Sequence, residues 1–550
     1  MFLSATSLFA QEPYRLLING DPENILIKED LNLSKSNSSN LELQLNVRIE
    51  ELRRSGYWLA NLDSLYISTE RAEAFVFIGK KYDGVLVVDT NLEETTAAKV
   101  GLAKNKLPRK YSSSEIMGLL DDITHEFENQ GYPFGAVKLD SFRFEKKVLE
   151  CKLLAKSGRL ILFDSLGVKN GVPVKPKFLS RYLGVTADAP FSQTTIDNID
   201  EKIRVLSFLD LNQAPSVYFG LQRARVDLKL AKRKVNSFDG ILGLVPGATG
   251  RKPELTGELK FEIQNLFREG KSLDFHWKKV TAQTQQLHLN YAHPFILGSP
   301  LNFEFSFNQL KENIAFSNRS IFLGLDFFTS VTSRFQFFYE NKNGNKLDDV
   351  VDENGDFSMS NYGLGFEFTQ LDDPLLPTRG LKGELKSQIG FKKTTNAISS
   401  STQTQQLEAS ANLKFYRPVG KQSVFFAGLS GGWIDGDNLF LNDLFRLGGL
   451  NSIRGFNENF FFASKYALAN FEWQIHFDRN SYIFLFLDQS LLKKKTQFTT
   501  ANDNPTGMGI GLKVEANGGF FSLVYGLGRF KGEEISFNQS KIHFGYSARF

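Results

Sequence analysis

The sequence holds one cysteine, four methionines and six histidines in 550 residues. Each scarcity closes a route. Cys151 stands alone and cannot make an intrachain disulfide. The histidines are scattered, with no His-Glu-x-x-His pair or other ligand spacing, so neither a metal centre nor a cofactor is expected. No apolar run approaches the ~18 residues that a spanning helix needs, which excludes a helical membrane anchor. A transmembrane β-barrel stays open, because alternating strands disappear in hydropathy averages. A net charge of only +4, with no basic stripe, gives no ground for a nucleic-acid partner.

What is abundant is Phe, at 52, and Gly, at 45, a usage that suits strands and tight turns. The length implies more than one folded unit. Residues 1–11, MFLSATSLFAQ, have the apolar stretch and small-residue end of a secretory signal without its basic start, and are read as a residual signal-peptide segment.

Residues 12–235 mix strand and helix patterns. LELQLNVRIEELRRSGYWLANL (41–62) sets Leu43, Val47, Ile49 and Leu52 near a 3.6-residue period. SSSEIMGLLDDITHEFENQGY (112–132) opens with serines ahead of Glu115, a capping pattern, and a third helical stretch covers 191–211. The order of elements recurs about every 75 residues, which predicts three α+β repeats over 12–81, 82–157 and 158–235, each with helices covering a short sheet.

From residue 236 to 550 the period becomes two. LNFEFSF (301–307), YGLGFEF (362–368), GMGIGLKV (507–514) and KIHFGYSARF (541–550) each put apolar side chains on one face and Gly or polar residues on the other. Polar connectors such as 341–356 separate them and no helical crossovers intervene, so the pattern predicts an antiparallel up-and-down sheet. Aromatics dominate one face, and Gly, Glu, Lys and Gln line the other, which favours a transmembrane barrel with a wet lumen over a soluble sandwich. At roughly 20 residues per strand and connector, this region yields about 16 strands.

Short strings that resemble catalytic or metal motifs fail on context. GLSGG (428–432) would make Ser430 a hydrolase nucleophile, but it lies within a continuous strand rather than a strand-to-helix elbow. DENGD (352–356) lacks the remaining spacing of a calcium loop. The glycines of GMGIG recur at period two, thinning one face of the sheet and leaving room for something packed inside.

RLGGLNSIRGF (446–456) is a glycine-rich turn with an arginine at its end. Inside a barrel, Arg454 needs a carboxylate, because an unpaired charge away from bulk water costs several kcal/mol. Glu472 and Asp488 lie on the strands that follow. Glu472 opposes Phe471 and Trp473 in parity and is expected to face inward. Asp488 shares parity with Phe484 and Phe486, so its inward orientation is expected to require a bulge or a strand end.

With these residues in view, the chain resembles the BamA/TamA family of outer-membrane assembly proteins, whose members carry periplasmic POTRA repeats ahead of a 16-stranded barrel. The family's lumenal loop signature is matched by Gly448, Gly449, Arg454, Gly455 and Phe456, within a loop around 446–460. Its acidic strand partner is matched by Asp488, where the usual Asp-x-Gly reads Asp488-Gln489-Ser490. LDDPLLPTRG (371–380) is similar to the family's strand entrance. Phe544, Tyr546 and the terminal Phe550 match its aromatic end signal.

The resemblance implies a protein that inserts or exports other proteins at the outer membrane, with POTRA repeats in the periplasm and no catalytic residue. Its implied partners are client outer-membrane or secreted proteins, the lipid bilayer, and periplasmic or inner-membrane accessory proteins. A first strand near 237–245 pairing incompletely with the last would expose edges to client strands. Three rivals are a two-partner-secretion translocase, which usually has two repeats and a proline-rich linker, a passive porin or adhesin barrel, and an enzyme on a barrel scaffold, which the missing constellation of nucleophile, base and oxyanion donors disfavours.

Overall fold

The computed structural model describes residues 14–20, 29–33, 41–67, 71–102, 104–145, 147–169, 171–245, 254–279, 283–312, 315–347, 353–395, 401–478, 480–516, 519–535, 537 and 540–549. The signal-peptide segment 1–11 and the terminal Phe550 lie outside the described residues.

Three small sheets precede the barrel. The first orders its strands Glu29–Leu33, Tyr14–Gly20, Arg71–Phe77, Asn61–Ile67, with only the central pair parallel. The second repeats that plan as Arg109–Tyr111, Gly84–Thr90, Val148–Lys156, Ala136–Glu145, again with a parallel central pair. In the third, Arg223–Lys232 is flanked by Leu209–Leu211 and Ser216–Phe219 and also pairs with Leu162–Lys169.

The helices follow the sequence patterns with two corrections. Helix Ser113–Asn129 starts at a complete capping box, Ser112 with Glu115, and buries Ile116, Leu119, Ile123 and Phe127 at the expected period. The helix expected over 41–62 ends at Arg54, and its buried face is Leu45 and Ile49, while Leu43 and Val47 are exposed. Gly56, at φ +102, turns the chain there into the strand Asn61–Ile67. The third helical stretch breaks into Gln193–Asp197 and Ile199–Val205, and Leu209–Leu211 is a strand that pairs with Arg223–Lys232.

The second sheet and its helix enclose Val85, Val87, Leu149, Cys151 and Leu153. Burial, helped by the neighbouring Glu150 charge, pushes the Cys151 thiol up to about 11. Thiolate is the reactive form, so Cys151 is expected to resist maleimide at pH 7 and to label promptly in denaturant. Stoichiometric labelling of the native chain within minutes would contradict this core.

The barrel closes with sixteen antiparallel strands, from Ser237–Val245 to Lys541–Arg549, the fourteenth broken into Thr500–Asp503 and Thr506–Ala516. Pro505, which has no N–H to give the ladder, sits at the break. Phe337, Tyr362, Leu364, Trp473 and Leu485 are exposed on the outer face, while Asn361, Gln388 and Gln474 are buried on the inner one. Strands seven to eleven run 14–19 residues, beyond the roughly 9–11 needed to cross a bilayer. The polar connector expected at 341 accordingly begins later, since its first six residues belong to the strand Ser333–Lys346.

The first and last strands have 9 residues each. Ser237 pairs with Arg549 and Phe238 with Ala548, and the pairing stops there, although the same register would carry on to Val245 opposite Lys541. The last strand pairs with its other neighbour from Gly519 through Gly526. Closure at the seam is therefore partial.

Candidate functional site

The connector between the eleventh strand, Ser423–Gly436, and the twelfth, Lys465–Asp478, forms a short hairpin of Phe445–Leu447 with Phe461–Ala463. Its turn takes shape from glycine. Gly448 and Gly449 hold φ of +116 and +92, and a side chain on Gly448 would strike the Asn457 carbonyl oxygen at 2.5 Å. The Ser452 hydroxyl accepts from the Gly448 N–H at 2.7 Å, and the Ile453 carbonyl accepts from Gly449 at 3.1 Å. Leu447, Ile453, Phe456, Phe461, Leu468 and Leu492 then give the loop a small apolar core of its own.

This turn delivers Arg454 to two carboxylates. Its backbone N–H and Nε each donate to Asp488 Oδ2 at 2.9 Å, and Nη2 donates to Oδ1 at 2.6 Å. Nη1 donates to Glu472 Oε1 at 2.5 Å. Asn470 adds a fourth donor to Asp488, at 2.7 Å. The Asp488 carboxylate is fully buried, and four donors meet its acceptor capacity. The guanidinium also lies over the Phe486 ring, 3.9 Å from its centroid. Charge, fork geometry and ring face act together.

No bulge brings Asp488 inward. At Asp488 its strand keeps regular register, opposite Asn470 on one side and Gly507 on the other. Phe484 and Phe486, which share its parity, face the lumen with it, each less than 10% exposed. Aromatic residues on this strand serve the loop rather than the bilayer, whereas Phe471, Trp473 and Ile475 beside Glu472 are exposed on the outer face.

The wall under the loop is stripped to backbone. A Cβ at Gly507 would lie 2.1 Å from the Arg454 carbonyl oxygen, and one at Gly528 2.7 Å from that of Gly455. Gly511 clears space for the Phe484 ring and Gly509 for Phe486. Gly455 itself, at φ +89, approaches the Leu527 carbonyl carbon so closely that a Cβ would sit at 2.5 Å. Gly507→Ala is expected to cost roughly 1–3 kcal/mol, because backbone on both sides cannot yield. Thermal loss of the compact band on a semi-native gel measures it, and an unchanged midpoint would mean that the loop tip does not rest there.

A second ion pair was not legible in the sequence. Lys392, on the ninth strand, is fully buried, pairs with Asp443 of the same connector, and donates to the Asn438 carbonyl at 2.9 Å. The rings of Phe357 and Phe440 stand 4.9 and 4.5 Å from its Nζ. Parity places Lys392 with Gln388 on the polar face, but nothing in the sequence names an acid 51 residues away as its partner.

Of the remaining expected residues, Phe456 packs its ring against Phe461 and Phe530, at 4.9 and 5.0 Å. Phe544 and Tyr546 lie on the last strand with exposed side chains, away from the loop. Ser430 sits in mid-strand, opposite Asn412 and Leu468.

Residues 265–550 match the Omp85 superfamily domain. No curated protein matches the sequence. Among solved structures, CdiB from Acinetobacter baumannii is similar at 13% identity with a TM-score of 0.58, covering 93% of this chain and 97% of its own. CdiB from Escherichia coli is similar at 14% identity and 0.57, over 94% and 99%. BamA from Haemophilus ducreyi lacking POTRA domains 1-3 aligns at 13% identity and 0.43, over 84% and 100%. The two CdiB matches are likenesses of fold.

Proposed function

The chain belongs to the Omp85 superfamily, whose domain spans more than half of it, and from that premise we propose that it inserts client β-barrel proteins into the outer membrane by lending their strands the free edges of its own seam. At family level the role is insertion or secretion at the outer membrane, with the barrel in that membrane and the α+β repeats in the periplasm.

The observation that supports the finer reading is the seam. Beyond Phe238 and Ala548 the two terminal strands stop pairing, so N–H and C=O groups of 239–245 and 541–547 have no partner across the gap. Unpaired backbone facing hydrocarbon is costly, and an incoming strand removes that cost by augmentation. Arg454 acts structurally, holding the loop to the twelfth and thirteenth strands while the seam opens elsewhere. No step needs a nucleophile or ATP.

Depleting the protein in its own bacterium and quantifying the envelope proteome tests the reading. Outer-membrane barrel proteins should fall together, with unfolded precursors in the periplasm. If barrel proteins hold steady and one secreted passenger disappears, the two-partner translocase replaces this proposal. If neither changes, the passive porin or adhesin does.

A further inference from the structure

At the periplasmic rim of the barrel, helix Pro176–Leu183 of the third repeat meets two of the short turns between strands. Phe178 covers Gly270, where a Cβ would meet its ring at 2.2 Å, and Tyr182 packs edge-on to Phe295 and Phe328. The Arg268 carbonyl accepts from the Lys175 N–H at 2.8 Å, and the Pro173 carbonyl from Asn265 Nδ2 at 2.7 Å. Beside this joint lies a cleft of about 280 Å³.

The cleft is strongly cationic. Lys175, Lys177, Arg181 and Lys271 line it against one carboxylate, Glu269, with His293 at its edge. Four positive charges less one negative leaves three. Hydrogen bonds from Lys175 and Lys271, both 2.6 Å, hold the Glu269 carboxyl down to about 2, so its charge is fixed across the physiological range. Those two lysines are engaged. Among the described residues no carboxylate pairs with Arg181 or Lys177. The Arg181 guanidinium rests 5.9 Å from the Phe295 centroid and within 3.6 Å of where a Gly298 side chain would begin.

Apolar side chains stand on the same two turns. Leu297 is fully exposed and Phe267 two-thirds exposed, each held outward by a residue in the left-handed region, at φ 51 and 58. Such a conformation disfavours bulky residues and is strained for both. Lys271 Nζ lies 5.8 Å from the Phe267 ring, so the apolar tips and the cations form one surface. Cations with a partly unpaired arginine, flanked by protruding Leu and Phe at the level where the bilayer meets the periplasm, match the two halves of an amphiphile.

We propose that this cleft binds the phosphate of an anionic phospholipid from the periplasmic leaflet, Arg181 and Lys177 holding the headgroup while Phe267 and Leu297 lie against its glycerol and upper acyl chain. The bound lipid fixes the height of the third repeat's joint relative to the membrane. The inference uses the barrel's placement in the bilayer and is independent of what the seam does.

The full chain in neutral detergent, titrated with dioleoylphosphatidylglycerol or dioleoylphosphatidylcholine and read by native mass spectrometry, decides it. Wild type should retain one phosphatidylglycerol in clear preference to phosphatidylcholine. Arg181→Glu with Lys177→Glu should lose that preference by roughly tenfold, as two interfacial charges warrant. Arg181→Lys should keep most of it. All three must keep the compact band of a folded barrel, which separates loss of the site from loss of fold. Equal retention by wild type and the double Glu variant overturns the proposal. So does displacement of the lipid by millimolar inorganic phosphate, which would make this a free-anion site. Binding of an acidic strand peptide by wild type alone, without lipid preference, overturns it in favour of client docking.

Discussion

Arg454→Ala should destabilise the barrel by about 3–5 kcal/mol, the usual cost of removing one partner from a buried ion pair. The reason is what stays behind. Asp488, fully buried, loses three of its four donors, counting the backbone N–H that moves with the loop, and Glu472 loses its 2.5 Å contact. Removing Asp488 as well should recover part of the loss, because Arg454→Ala with Asp488→Ala leaves no orphaned carboxylate at that position. Arg454→Lys should fall between, keeping charge but losing the fork and the face of Phe486. The measurement is the temperature at which the compact band disappears, alongside the level of client barrels. Were Arg454→Ala to melt like wild type, the loop would not be anchored through this group.

The second large effect belongs to the seam. Gly240 and Tyr546 would face each other if the pairing of Ser237 with Arg549 and Phe238 with Ala548 continued in register. Cysteines at both positions should cross-link under an oxidant as the edges transiently meet, and Cys151, buried in its own sheet, does not compete. The bond would withhold both edges from a client, so barrel insertion should drop at least tenfold under oxidation and return with a reductant. Cross-linked protein that inserts clients at full rate would remove the seam from the mechanism and favour passage through the lumen.

Much of this architecture could be read from residue order. Period-two alternation from 301 to 550 gives strands with the right faces, and the serines ahead of Glu115 mark a helix start, where Ser112 is the cap. Local chemistry carries such signals. Other features resisted because their cause is distant. The helix over 41–62 was overextended because Leu43 and Val47 fit the period, yet the sheet covers the other face. Phe484 and Phe486 share parity with Asp488, and only the loop folding inward gives these aromatic rings a lumenal partner. Arg454 had two acids in reach, and parity favoured one of them. The structure joins it to both, since a guanidinium carries donors enough for two carboxylates. Lys392 and Asp443 follow the same lesson, being paired across a fold that neither residue's neighbours announce.

The glycine-floored seat beneath Arg454 also has a bearing on time. Everything that seats Arg454 and Gly455 is encoded after them: Glu472 and Asp488 first, then Gly507, then Gly526 and Gly528. A chain emerging from its N-terminus has the arginine in hand long before it has the socket, and closing that separation carries an entropic delay. The arginine tip of the loop can therefore settle only after the fifteenth strand has joined the wall. Its docking marks a nearly finished barrel, and one that stalls short of that point keeps a guanidinium with nowhere dry to go.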